Sequence, residues 1–145
     1  GWTAGATLTE AGGEIMDAVN TAARPRQPEP GYEGCEHGVF LAPGSNAART
    51  RHALINCPGW LDRSPGGTGT SALMALRHHR GELELHQDFV NESFIGTRFI
   101  GRLIGTTRVG DRTAVTPQIT GRAWVTAMSQ FVVDPTDPFP AGFTV

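Results

Sequence analysis

Asp62-Arg63-Ser64-Pro65-Gly66-Gly67-Thr68-Gly69-Thr70-Ser71 runs straight into Ala72-Leu73-Met74-Ala75-Leu76-Arg77. The first ten residues read as a tight Gly/Thr loop. The next six are apolar on nearly every side, which predicts a helix buried within its domain. His78, His79 and Arg80 bring cations to its C-terminal end and Gly81 supplies the stop. Glycines 66, 67 and 69 let backbone approach a ligand closely. The amides opening the helix carry partial positive charge, which suits a carboxylate or phosphate. Thr68, Thr70 and Ser71 add hydroxyl donors.

Working outward, Leu8 to Ala23 carries a helical period, with Leu8, Ile15, Met16, Val19 and Ala22 on one face. Thr7 and Glu10 have capping-box spacing at its start. Gly12-Gly13 weaken such a helix, so close packing is the expected reason for them. Arg24 to Gly31 holds three prolines and reads as a surface connection. Gly38–Leu41 and Ala53–Ile55 read as short strands around a polar turn from Pro43 to Arg51. Glu92–Ile104, Thr113–Ile119 and Arg122–Val133 also read as strands, with turns at Gly105, Val109-Gly110-Asp111 and Thr120-Gly121. The proline-broken tail from Asp134 to Pro140 does not. The expected class is α+β, a curved antiparallel sheet around one buried helix.

Composition narrows the function classes. With 145 residues the chain is one domain, or part of a larger protein. Nineteen Gly and ten Pro exclude an all-helical bundle. A net charge of −2, and arginines at 98, 102, 108, 112 and 122 that read as exposed sheet positions with no repeating basic-aromatic pattern, argue against nucleic acid. All twelve basic residues are Arg, so no lysine is available for a Schiff base, pyridoxal attachment or a P-loop. No apolar run spans a bilayer. The start lacks both Met and a signal-peptide pattern, so a processed or partial chain is expected. Cys35 and Cys57 are too few for a zinc site or disulfide scaffold; they are expected to pack as small hydrophobes in a reduced, cytoplasmic protein. His78, His79, His86 and Asp88 lack metal-ligand spacing. Trp60 and Leu61 either line a pocket or cover the core.

Three readings of the loop stand side by side. It is a helix cap that needs no ligand; or a dinucleotide fingerprint, since Gly67-Thr68-Gly69-Thr70-Ser71-Ala72 fits G-x-G-x-x-A; or a site for a small carboxylate. The strand-rich sequence that follows lacks the second βαβ half a doubly wound fold needs.

Asp62-Arg63-Ser64-Pro65-x-Gly67-Thr68-Gly69-Thr70-Ser71-Ala72 resembles the second active-site motif of the proline racemase family, which includes hydroxyproline 2-epimerases and trans-3-hydroxyproline dehydratases. Arg80-Gly81-Glu82-Leu83, the block from Phe89 to Gly101, Ile119-Thr120-Gly121-x-Ala123-Trp124-Val125-Thr126 and Phe131 to Phe139 resemble further family signatures. The resemblance implies a single domain over residues 1–145, equivalent to the second lobe of a two-lobed, diaminopimelate-epimerase-like fold. It implies amino-acid chemistry without a cofactor or metal. The substrate sits between lobes, and one cysteine from each lobe faces its Cα. Stabilising the developing carbanion then demands a dry cleft and aligned donors.

This chain departs from that pattern. It matches only the second half, and the first-lobe Cys-Gly-His segment is absent. Where the resemblance puts the second catalytic cysteine stands Gly66. By matched position, Asp62 contacts the substrate ring nitrogen, while Gly67 and Thr68 donate to its carboxylate. The resemblance implies proline or a hydroxyproline as ligand, with a first-lobe polypeptide or a homodimer completing the cleft. With no thiol at position 66, the expected activity is one-base chemistry of the 3-hydroxyproline dehydratase kind, a lyase reaction, since those dehydratases usually carry Thr there. The alternatives are an isomerase (epimerase or racemase) altered at Gly66, and a non-catalytic amino-acid-binding lobe.

Overall fold

The elements follow in the order α1 (Trp2–Ala22), β1 (His37–Pro43), β2 (Thr50–Asn56), β3 (Trp60–Leu61), α2 (Gly67–His79), β4 (Asp88–Ser93), β5 (Arg98–Val109) and β6 (Arg112–Thr120). They are seen in a computed structural model that describes residues 2–27, 31–45 and 50–144. Parts of the expected connections, residues 28–30 and 46–49, lie outside the described residues. The strands form one six-stranded sheet in the order β1-β2-β4-β5-β6, with β3 added to β2.

The class is α+β, and the expected all-antiparallel sheet is corrected at one seam. β2 and β4 run parallel, pairing Thr50 with Asn91, Arg51 with Glu92 and His52 with Ser93. A parallel pair needs a crossover, and α2 lies on the connection between these strands. The other neighbouring pairs are antiparallel. Glu92–Ile104 is not one strand: β4 ends at Ser93, where Gly96 N–H returns to the Ser93 carbonyl at 3.0 Å, and β5 begins at Arg98. Gly105 is no turn either, because β5 continues through it with a register shift between Leu103 and Gly105.

Consecutive strand residues face opposite sides of a sheet. In β2, Leu54 faces α2 and Ile55 faces α1. A Cβ on Gly69 of α2 would lie 3.6 Å from Leu54 Cδ1, and one on Gly12 of α1 would lie 2.9 Å from Ile55 Cγ1. Gly12 is therefore the glycine that close packing requires; Gly13 faces open space. α1 starts at Trp2, so the Thr7–Glu10 pair lies within the helix and is not a terminal capping box. Its packed positions are Gly5, Gly12 and Met16, while Ile15 is exposed.

α2 begins at Gly67, five residues earlier than the apolar run alone suggests, and stops as expected, with Gly81 at φ +71° just beyond it. It is not enclosed as expected. Leu73 and Met74 join Leu83, Phe89 and Leu103 in the core. Ala72 and Leu76 remain exposed, because the sheet covers only one side of the helix. Arg122–Val133 forms no strand. Val125 and Phe131 are 86% and 93% exposed, since no described strand lies beside them to complete a ladder. Cys57 is exposed and Cys35 half-buried, so neither is a core residue: both sit in connections flanking β1 and β2.

Candidate functional site

The loop before α2 is held group by group. Asp62 N–H donates to the Leu54 carbonyl at 2.9 Å, extending the β2–β3 pairing into the loop. Thr97, in the β4–β5 turn, donates its hydroxyl to the Arg63 carbonyl at 2.9 Å. Asp62 Oδ1 accepts the Ser64 N–H at 2.8 Å, and Ser64 Oγ accepts the Gly66 N–H at 3.0 Å. The Pro65 carbonyl accepts from His52 Nε2 and, at 3.3 Å, from the Thr70 hydroxyl. The Gly66 carbonyl accepts the Thr70 N–H at 3.0 Å, closing the first helical turn.

Gly66 is the N-cap of α2, with φ +68°. That backbone region is costly for residues with a Cβ. A Cβ there would also overlap the Leu54 side chain and lie 3.9 Å from Asp62 Oδ2. Thus Asp62 uses one oxygen to shape the loop and turns the other toward Gly66. No side chain caps the helix. The opening amides of a helix have no acceptor inside it, and here Gly67 and Thr68 are exposed and Gly69 half-buried. The positive end of α2 therefore faces outward, beside the Asp62 oxygen that is free among the described residues. Apolar depressions flank the loop: one of about 620 Å³ includes Leu61, Asp62, Phe94 and Ile95, and one of about 280 Å³ includes Val39, Leu54, Thr68 and Leu76. Leu61 thus lines a pocket wall, whereas Trp60 is 70% exposed.

The structure places Asp62, Gly66, Gly67 and Thr68 at the entrance to α2. It adds residues that the pattern did not single out. His52 and Asn91 are fully buried behind the loop, and Asn91 Nδ2 donates to Thr70 Oγ1 at 2.9 Å. Burial holds the His52 imidazole below its ordinary 6.5, against the opposing pull of the Pro65 carbonyl and the Asp62 charge. On the other face of the same strands, Glu92 accepts from the Ser45 hydroxyl and from Arg51 Nε at 2.7 Å, with Arg98 Nε at 3.6 Å. The Ser45 hydroxyl and then the Arg51 guanidinium hold its carboxyl below the usual 4.5. Among the described residues, no group of His, Cys, Asp and Glu is placed to hold a metal ion, and no helix is long and apolar enough to cross a membrane.

Comparison with known proteins gives concordant matches. A family model described as proline racemase matches residues 3–144. The chain is 59% identical over 137 residues to a 4-hydroxyproline 2-epimerase of Streptosporangium roseum, covering 94% of this chain and 41% of that protein. It is 39% identical over 145 residues to a proline racemase of Acetoanaerobium sticklandii, covering 95% and 42%. Among solved structures, it superposes with a TM-score of 0.79 on a hydroxyproline epimerase from Agrobacterium vitis with bound trans-4-OH-L-proline, at 35% identity, covering 97% of this chain and 40% of that one. A probable proline racemase from Agrobacterium radiobacter with bound carbonate gives 0.80, also at 35% identity, covering 97% and 41%. The chain thus spans about two fifths of the length of these relatives.

Proposed function

The chain belongs to the proline racemase family, and on that premise we propose that it is one lobe of a two-lobed, diaminopimelate-epimerase-like enzyme that binds proline or a hydroxyproline. The observation that carries this reading is the uncapped, outward-facing start of α2 beside the free oxygen of Asp62. Gly67 and Thr68 donate to the carboxylate, and Asp62 faces the protonated ring nitrogen. The two charges of a zwitterionic amino acid thereby meet complementary groups a few residues apart. A first-lobe polypeptide, or a second copy of this chain, covers the open face around Leu76. A cytoplasmic compartment is supported by the free thiols of Cys35 and Cys57.

Gly66 shapes the chemistry. It has no side chain to move a proton, so this lobe does not supply the second of two opposed bases. One-base elimination fits this arrangement. A base on the other lobe takes the Cα proton, and the electron pair left behind expels hydroxide from the neighbouring carbon, leaving a carbon–carbon double bond. No cofactor is required. The carboxylate's negative charge grows as the proton leaves, and the amides of α2 are already aimed at it. Epimerisation with another group standing in for the thiol is the alternative enzyme reading, supported by the relative from Streptosporangium roseum. A binding lobe without turnover is the remaining one, supported by Gly66 itself.

The deciding experiment supplies a first-lobe polypeptide carrying its cysteine and follows proline, 3-hydroxyproline and 4-hydroxyproline in heavy water. Loss of hydroxide without epimer formation supports the lyase reading. Deuterium at Cα with inversion replaces it by the isomerase reading. Binding without exchange leaves only the non-catalytic lobe.

A further inference from the structure

Every hydrogen-bonding group of Pro65 and Gly66 finds a partner, yet nothing in Gly66 itself fixes the turn. A glycine at φ +68° is free to swing, so the peptide on its N-terminal side must be held from outside. The Pro65 carbonyl and the Gly66 N–H lie in one peptide plane, and that carbonyl is the atom on which donors converge.

His52, 1% exposed on β2, directs Nε2 at the Pro65 carbonyl. Asn91 Nδ2 lies 3.2 Å from His52 Nδ1 and 3.3 Å from Nε2. A carbonyl oxygen only accepts, so the ring hydrogen facing Pro65 is on Nε2, which leaves Nδ1 as the ring nitrogen able to accept from Asn91. The same Asn91 nitrogen donates to Thr70 Oγ1, which leaves the Thr70 hydroxyl hydrogen for the Pro65 carbonyl at 3.3 Å. Asn91 Oδ1 is buried without a protein partner among the described residues. The Asn91 amide is therefore oriented through its donating side, which serves this one chain of donors.

We infer that His52 is a positioning residue for carboxylate capture: by pinning the Pro65 carbonyl it sets the turn at Gly66, and with it the direction of the Gly67, Thr68 and Gly69 N–H groups. It acts through the loop and does not itself reach a ligand. The inference rests on the carboxylate-binding reading above and adds the residue that makes the amides converge.

The test is an amide-resolved titration of the full chain with trans-4-hydroxy-L-proline, acetate and the carboxamide of hydroxyproline, following the Gly67, Thr68 and Gly69 signals. His52→Gln retains a side-chain N–H for the Pro65 carbonyl; His52→Phe keeps a ring and loses the donor. The expected result is that His52→Phe weakens both carboxylates by about tenfold, the worth of one well-placed hydrogen bond. The carboxamide is affected little, and His52→Gln recovers most of the loss. Equal carboxylate binding by wild type and His52→Phe overturns the inference, as does parallel loss of carboxylate and carboxamide. Should His52→Phe not fold, Thr70→Val removes the second donor to the same carbonyl and must show the same selective loss; an unchanged response overturns the inference. Silence of all three amides toward every carboxylate in the wild type strikes the binding reading itself, and the inference falls with it.

Discussion

Two buried polar clusters sit back to back on the parallel seam between β2 and β4. Arg51 and Glu92 pair on one face of the sheet; His52 and Asn91, the next residue of β2 and the preceding one of β4, meet on the other. The Glu92 side is ionic: a buried carboxylate against two half-exposed guanidiniums. The His52 side is neutral and held by hydrogen bonds, with Asn91 Oδ1 left without a partner among the described residues, and it lies under the loop that opens α2. The Glu92 hydrogen bonds are charge-assisted and so the stronger set. The neutral hydrogen bonds around His52 contribute less energy each. The neutral cluster is the one placed behind the candidate ligand site.

Breaking the ionic side carries the largest expected effect. Glu92→Ala leaves Arg51 and Arg98 without their buried acceptor, and a loss of about 2–4 kcal/mol is expected by chemical denaturation, moderated by the exposure of both arginines. Gly66→Cys comes next. It sets a Cβ against Leu54 at positive φ, so a cost of about 1–3 kcal/mol is expected. Shortening Leu54 in the same chain should recover part of it, and absence of that recovery would show that backbone strain dominates. His52→Gln keeps one donor, and its cost should be about 1 kcal/mol in the same measurement.

Acid separates the two clusters. His52 is held below 6.5 when folded, so the unfolded chain binds the proton first and stability falls as pH drops below about 6.5. Its titration is watched by the Asp62 carboxylate, Asn91, Thr70 and the Pro65 carbonyl. Glu92 is held below 4.5, so its contribution is full above that value and lost as pH falls beneath it. Denaturation midpoints from pH 8 to 3 should therefore decline in two stages. His52→Gln removes the upper stage and Glu92→Gln the lower. A single decline that neither variant alters would refute the division. The smallest effect is that of salt, which should trim the Glu92 contribution by a few tenths of a kcal/mol and leave the His52 side unchanged.

Much of the candidate site was legible because its residues are contiguous. Asp62, Gly66, Gly67 and Thr68 lie within one short stretch, and turn and helix-start chemistry is local. The residues behind them were not legible. His52 stands in an ordinary strand, and its partners Pro65 and Asn91 are 13 and 39 positions away. Arg122–Val133 departs from its expectation for the opposite reason. Arg122–Val133 has the composition of a strand, but a strand exists only when another lies beside it, and composition does not reveal the neighbour. The parallel seam was equally hidden, since its direction is set by where the α2 crossover returns the chain.

That seam is three rungs long. Side chains alternate with a period of two, so sliding one strand by a single residue would send the guanidinium of Arg51 beneath α2 and the imidazole of His52 toward Glu92. Both assemblies would be ruined by the same misstep. The two clusters thus act together as a keyed joint: a single-residue slip strands a charge on the wrong face, and the entrance to α2 inherits its aim from the alignment that avoids it.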